Sequence, residues 1–100
     1  MTNAQILSEV FGINSKPSVA IDPQTRQVVA EGNFVENGHD VKIPLSAPLA
    51  RLEAEIEKAI NFCGRRAIDG TPYYNVRVGR WYNDSPIPSH VRISLVHVVS

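Results

Sequence analysis

Alternation of apolar and polar residues predicts most of the strands of this chain. The period of two, which is typical of a strand with one buried face, occurs in residues 26–35, 40–45, 73–82 and 90–99. A shorter extended run covers 18–22. The second half of the last run is apolar on both faces, which favours a central position in a sheet.

Turn residues predict how two of these strands are joined. Asp22-Pro23 is typical of a tight turn, because proline presets φ and the aspartate accepts from nearby amides. Asn37-Gly38 tolerates the positive φ of a type I′ turn, so it predicts a hairpin that joins 26–35 to 40–45. Pro44 lacks an amide hydrogen and therefore favours an edge strand or a strand end.

Helical periodicity is strongest in 46–63. Apolar residues form one stripe there, Ser46 is the expected N-cap, and Gly64 is the expected terminator. Residues 3–12 also have helical spacing, with Gly12 at the end. The first sixteen residues therefore form either a short helix or an arm that orders only when it packs against the rest.

This order of elements predicts a single α+β domain over residues 1–100. We expect a mainly antiparallel sheet of four to five strands with one long helix on one face, in the order ββ(β)αββ. One helix covers only one face, whereas Val96 and Val98 point to the other and need cover. Either the N-terminal segment or a second copy of the chain would supply it, so we expect a homodimer as one solution.

Composition narrows the class of protein. Of 100 residues, 43% are hydrophobic and 20% charged, as in folded globular domains, and the net charge is zero. The balance gives no general electrostatic attraction to nucleic acid or to anionic membranes. Cys63 is the only cysteine, and the N-terminus has no basic leader with an apolar run, so we expect a cytoplasmic protein.

Residue patterns for catalysis are weak. The histidines are scattered without metal-ligand spacing, and Cys63 with His97 has no flanking signature of a nucleophile pair. Glu53 and Glu57 share a helix face, which we interpret as a solvated outer surface. We therefore expect no enzyme, no cofactor and no metal.

One patch of arginines and aromatics stands out near the C-terminus. Five arginines and only two aspartates follow residue 63. Strand alternation places Tyr73, Arg77 and Trp81 on one face, with Arg92 alongside on the neighbouring strand. Together with Arg80, these residues are the predicted binding site.

Two functions compete for this patch. Tyr, Trp and Arg dominate protein–protein hot spots, which makes protein contact the leading hypothesis. The alternative is a nucleic-acid-binding module, because aromatics and arginines on a sheet can stack bases and hold phosphates. A structural explanation also stands, in which the aromatics fill the edge of the core and the arginines keep the surface soluble. A small-ligand site between helix and sheet would need a well-formed polar pocket.

The layout of one helix on a small sheet, without a catalytic signature, resembles the short accessory proteins encoded in phages and prophages. That resemblance implies a protein that binds and modulates a host or phage macromolecule. The combined expectation is a small non-enzymatic accessory protein that acts through protein–protein contact, as a phage or prophage modulator of a host factor.

Overall fold

A computed structural model describes residues 1–13, 15–32, 34–63 and 74–97 of the chain, and the side chains of these except 35–39. The elements follow one another as α1 (Asn3–Phe11), β1 (Ser18–Ile21), β2 (Val28–Glu31), β3 (Val35–Pro44), α2 (Leu49–Phe62), β4 (Asn75–Trp81) and β5 (His90–His97).

The five strands form one antiparallel sheet in the order β2-β1-β4-β5-β3. Both helices pack on the same face of it, where their apolar residues join those of the strands in a single core. The predicted α+β class is therefore confirmed. Neither α1 nor α2 is long and apolar enough to cross a membrane, and no other helix occurs among the described residues.

The core is aliphatic. Each of its central side chains is fully shielded from solvent. Burial of a large apolar side chain stabilises the folded state by about 1.5–3 kcal/mol before conformational entropy is subtracted, so this core is the main source of stability. Its fully buried members come from both helices and four strands, namely Ile6, Val10, Val19, Ile21, Ile43, Ile56, Val76, Val78 and Val91.

The N-terminal segment forms a short helix, which was one of the two alternatives for it. Thr2 caps α1 by accepting from the amide of Gln5, and the side chain of Gln5 accepts from the amide of Thr2 in return. The helix ends at Gly12, where a Cβ atom would lie 2.5 Å from the carbonyl oxygen of Ser8. Glycine is therefore needed there for close approach of the backbone.

The N-terminal segment, which was one of the two alternatives for covering the second face of the sheet, lies on the opposite face. Ile6, Leu7 and Val10 of α1 lie in the same core as α2 because both helices have one apolar side to bury. Val96, which we expected to need a cover, is nevertheless fully buried within the chain. Val98 lies outside the described residues.

The predicted hairpin at Asn37-Gly38 is wrong. Both residues lie inside β3, which pairs with β5 and has a register shift between Glu36 and Asp40. The predicted strand 26–35 is divided instead, because Gly32 adopts a φ of +95° just after β2. Long-range pairing with β5 therefore overrides the local turn propensity.

Two other turn predictions differ in outcome. The turn after β1 is confirmed: the Asp22 carboxylate accepts from the amide of Gln24 at 2.8 Å, and β1 and β2 pair as a hairpin. Ser46 does not cap α2; the N-cap is Pro48, two residues later, and the helix begins at Leu49. The amide of Ala47 bonds the carbonyl of Pro44 instead, so a turn occupies this stretch. Pro44 does end an edge strand, as predicted.

Candidate functional site

The second face of the sheet, opposite both helices, carries most of the predicted binding residues. Along β4, Val76 and Val78 point to the helices, so Arg77 and Trp81 lie on the second face. Arg92 joins them, since it pairs with Gly79 between these two positions. Strand alternation thus fixes the surface before any side-chain contact is considered.

Trp81 is the centre of a charged cluster on this face. The ammonium nitrogen of Lys42 lies 4.1 Å from the centroid of the Trp81 ring, and the guanidinium carbon of Arg92 lies 5.3 Å from it. Both distances are in the range of cation–π attraction. We call Trp81, Lys42, Arg92 and Asp40 the Trp81 cluster.

Asp40 holds the two cations in place. Nε of Arg92 donates to Oδ1 of Asp40 at 3.0 Å and Nη2 donates to Oδ2 at 3.2 Å, which is the two-point geometry that arginine makes with a carboxylate. The ammonium of Lys42 lies 3.5 Å from the same Oδ2. Partial burial alone would raise the pKa of Asp40, but the Arg92 hydrogen bonds and the charges of Arg92 and Lys42 outweigh it and lower that pKa.

The register explains why these residues meet. Lys42 on β3 pairs directly with Arg92 on β5, and Asp40 lies two residues before Lys42 on the same face. Trp81 on β4 is the diagonal neighbour of Arg92, within reach of a long side chain. Three strands therefore contribute to one cluster.

The predicted site residues have different outcomes. Arg77, Trp81 and Arg92 share the second face, as expected. Arg80 does not: it lies on the helix-covered side, where its Nη2 donates to the hydroxyl of Ser15 at 3.1 Å. It follows Val76 and Val78 in the alternation of β4, so it cannot reach Trp81's face. Tyr73 lies outside the described residues.

Sequence reasoning missed Lys42 and Asp40. Their alternation with Val41 and Ile43 already put them on one face of β3. What was lacking was the strand order, because the expected hairpin partner of this strand was 26–35 and not β5. The turn propensity of Asn37-Gly38 thus predicted the wrong strand pairing, and two of the four residues of the Trp81 cluster were missed.

Exposed apolar residues follow the strand ends that carry the cluster. The β4–β5 loop is closed by a hydrogen bond of 2.9 Å from the amide of Ser89 to the carbonyl of Trp81, and the amide of Leu45 bonds the carbonyl of Ser89 at 3.0 Å. Around this junction Leu45, Tyr82 and Ile87 are exposed, Ile87 to 70%. We call the Trp81 cluster with these three residues the Trp81 surface.

A second polar cluster, on the helix-covered side, links α1, α2 and the segment between β1 and β2. Nη2 of Arg26 donates to Oε1 of Glu57 at 2.6 Å, and Asn3 of α1 donates both to the carbonyl of Glu53 and to Oε2 of Glu57. Glu57 is therefore an ion-pair partner, at a position where its side chain is still 41% exposed. Its hydrogen bonds from Arg26 and then Asn3 lower its pKa.

Other candidate chemistry is limited. Cys63 is buried at the end of α2, and burial raises the pKa of its thiol to about 11, which opposes a nucleophilic role. His97 packs against Tyr74, with ring centroids 5.0 Å apart. The described residues contain no group of three or more side chains that is suited to a metal ion.

An apolar groove lies on the helical side. It measures about 280 Å³ and is open to solvent, between α1 and the first turn of α2, with Ala4, Leu7, Phe11 and Leu49 among its lining residues. This is not the polar pocket that a small-ligand site between helix and sheet would require.

Comparisons of the chain with protein-family models, with curated proteins and with solved structures found no match.

Proposed function

We propose that this chain is a small non-enzymatic binding protein that contacts another protein through the Trp81 surface. The observation that carries the proposal is the ordered Trp–Lys–Arg–Asp cluster, with three exposed apolar residues in the chain segments that follow its strands. Tryptophan and arginine are the residue types most enriched at the energetic centres of protein interfaces.

Pre-organisation supports this proposal. The Arg92 side chain is only 18% exposed, and Asp40 holds its guanidinium through both Nε and Nη2, so binding would cost little of its rotamer entropy. A partly buried tryptophan beside fixed charges is a rigid anchor. The exposed apolar residues at the ends of the same strands would add contact area that excludes water.

Nucleic-acid binding is the second candidate, because Arg77, Arg92 and Lys42 share one sheet face. Three observations favour protein contact over it. Cations already cover part of the Trp81 ring that a base would need for stacking. Asp40 would repel a phosphate backbone, and Arg80 contacts Ser15 on the other side.

Self-association remains part of the proposal, with a second copy as one protein partner. Extension of the sheet is the less favourable route, since β2 is only four residues long and β3 ends in Pro44 and is irregular between Glu36 and Asp40. Light scattering after size exclusion tests this directly: a mass near twice 11.0 kDa supports a dimer, and a mass of 11.0 kDa contradicts it.

A phage or prophage origin and a host target follow from the resemblance of layout alone and remain predictions. A cytoplasmic location is likewise a prediction. The function proposed here depends on neither, since it rests on the Trp81 surface.

Selection from a random peptide library on the immobilised full chain tests the proposal. Selected peptides should bind Trp81→Ala about thirtyfold more weakly than the natural chain, as expected for a hot-spot residue. Phe62→Ala is the matched control, because Phe62 is an aromatic residue that is 71% exposed at the end of α2. Peptides that bind Trp81→Ala with unchanged affinity, or a selection that yields none, would contradict the proposal.

A fluorescent fifteen-residue oligothymidylate tests the second candidate. Binding that weakens steeply as salt rises and that depends on Arg77 would favour nucleic acid, because counterion release drives such complexes. Weak or salt-insensitive binding would leave protein contact as the explanation of this face.

A further inference from the structure

We infer that Asn37 is a site of spontaneous covalent modification, at which the folded chain converts this asparagine into aspartate and isoaspartate. The reactants are the chain itself and water, and the reaction does not require the Trp81 surface to bind anything. Its product adds a carboxylate to the strand that also carries Asp40 and Lys42.

The pairing of β3 with β5 is interrupted at this asparagine. The register shifts between Glu36 and Asp40, so that residues 37–39 lie opposite Leu95 alone. Where three residues of one strand oppose a single residue of the next, the ladder cannot hold all of their amides in regular hydrogen bonds. β3 is also the last strand of the sheet, and among the described residues no strand pairs with its other edge. Neither side therefore supplies the regular ladder that fixes a central strand.

The residue that follows Asn37 favours the reaction. The backbone nitrogen of Gly38 attacks the carboxamide carbon of Asn37 and closes a succinimide ring. The bond from that carbon to the side-chain nitrogen breaks, and the proton lost by the Gly38 nitrogen leaves with it as ammonia. Glycine has no Cβ atom to obstruct this approach and adopts unusual backbone conformations at low cost. Water then opens the ring at either carbonyl group, so one water enters for each ammonia released.

Two other asparagines serve as controls within the same chain. Asn75 begins β4, which pairs with β5 without a register shift, and the β-branched Val76 follows it. Asn83 is exposed in the β4–β5 loop, but the residue after it is Asp84, which has a Cβ atom. Asn83 thus controls for exposure alone, and Asn75 for a regular strand. We expect both to stay intact while Asn37 reacts.

Incubation of the full chain in mildly alkaline buffer tests the inference, because base removes the proton of the Gly38 amide. Each conversion lowers the formal net charge of the chain from zero to minus one, so anion exchange separates the product. Trypsin releases residues 27–42 as one peptide, and its fragmentation in a mass spectrometer distinguishes Asn37 from Asn33. Methylation by an isoaspartyl methyltransferase identifies the isoaspartate fraction.

A synthetic peptide of residues 33–42 supplies the rate without the sheet. The folded chain should lose Asn37 at a rate within about tenfold of the peptide, which corresponds to about 1.4 kcal/mol in the barrier. Gly38→Ala should slow the reaction about tenfold or more in the chain and in the peptide alike, which separates the chemistry from any effect on the fold.

Two results would overturn the inference. Asn37 that stays intact in the folded chain while the peptide reacts would show that β3 protects it. Loss of Asn75 or Asn83 as fast as that of Asn37 would show that neither the interrupted pairing nor the glycine selects this site. Both results would leave the proposed function unaffected, since they concern only the stretch between Glu36 and Asp40.

Discussion

The two faces of the sheet differ in what their side chains do. On the helix-covered face, Val76, Val78, Val91 and Ile93 pack against α1 and α2 in a continuous aliphatic core. On the second face, the same strands present charged and aromatic side chains that contact one another through ion pairs and ring contacts. One face therefore supplies stability, and the other carries groups suited to recognition.

Because successive side chains of a strand point to opposite faces, one strand contributes both to the core and to the second face. Arg77 and Trp81 share β4 with the core valines. The packing that fixes the backbone of β4 at the valines therefore also fixes the positions of Arg77 and Trp81 on the opposite side. A rigid core is thereby a scaffold for the Trp81 surface. Changes to each face should then have separable effects on stability and on binding.

The largest expected effect is on the core. Ile56→Ala removes a fully buried side chain of α2 and should lower the free energy of unfolding by about 2–5 kcal/mol. Urea unfolding measures it, with Lys42→Ala on the second face as a comparison that should change stability by about 1 kcal/mol or less. Equal losses for the two variants would contradict the division between the faces.

Gly79 is the position where the second face is tightly packed. A Cβ atom there would lie 2.9 Å from Cβ of Ser18 and 3.3 Å from the carbonyl oxygen of Pro17, so Gly79→Ala should cost about 1–3 kcal/mol. Thermal or urea unfolding measures this loss. The double variant Ser18→Gly with Gly79→Ala lacks one of the two contacts. Relative to Ser18→Gly alone, it should lose less stability than Gly79→Ala loses relative to the natural chain. A double variant no more stable than additivity predicts would argue against this contact.

The Arg26–Glu57 ion pair should have a smaller and pH-dependent effect. Glu57→Gln should lower stability by up to about 1 kcal/mol near neutral pH, because the pair is partly exposed. The pKa of Glu57 is lower in the folded chain than its ordinary value of 4.5, so this contribution is present above that value and is lost as pH falls through the folded-state pKa.

Unfolding curves of the natural chain and Glu57→Gln at several pH values measure the effect. The two stabilities should converge in acid. A difference that persists unchanged below the folded-state pKa would show that hydrogen bonding by the neutral side chain, and not charge, stabilises this contact.

The smallest expected effect on stability is that of Lys42→Glu, which should instead change the surroundings of Trp81. Trp81 is the only tryptophan, so its fluorescence reports on the Trp81 cluster alone. Iodide should quench it more effectively than caesium in the natural chain, because Lys42 and Arg92 attract anions. The variant should reverse this preference, while Lys58→Glu should not. Equal quenching of all three chains would place the cations away from the ring in solution.

Local patterns sufficed for the class of fold but not for the pairing of strands. The period of two in β4 and β5 and the apolar stripe of α2 were enough to predict the elements that form most of the core. Asn37-Gly38 led to a wrong prediction, because its turn propensity is a local property. The pairing of β3 comes instead from β5, whose partner residues lie 46 to 62 positions later in the chain.

The candidate site was predictable to the extent that it lies on one strand. Arg77 and Trp81 follow from alternation within β4, and the same alternation excludes Arg80, which two residues after Val78 must share the valine's face. Lys42 and Asp40 required knowledge of the strand order, which only the assembled sheet provides. Contacts between distant strands are therefore the part that sequence patterns do not determine.

The most direct test of the Trp81 surface is a two-dimensional ¹H–¹⁵N spectrum of the full chain, recorded as a selected peptide is added. The single indole N–H gives one isolated signal from Trp81. Movement of that signal together with the amides of Lys42 and Arg92, with those of α2 unchanged, is the result we predict. A still indole signal with shifts confined to the groove between α1 and α2 would contradict the account.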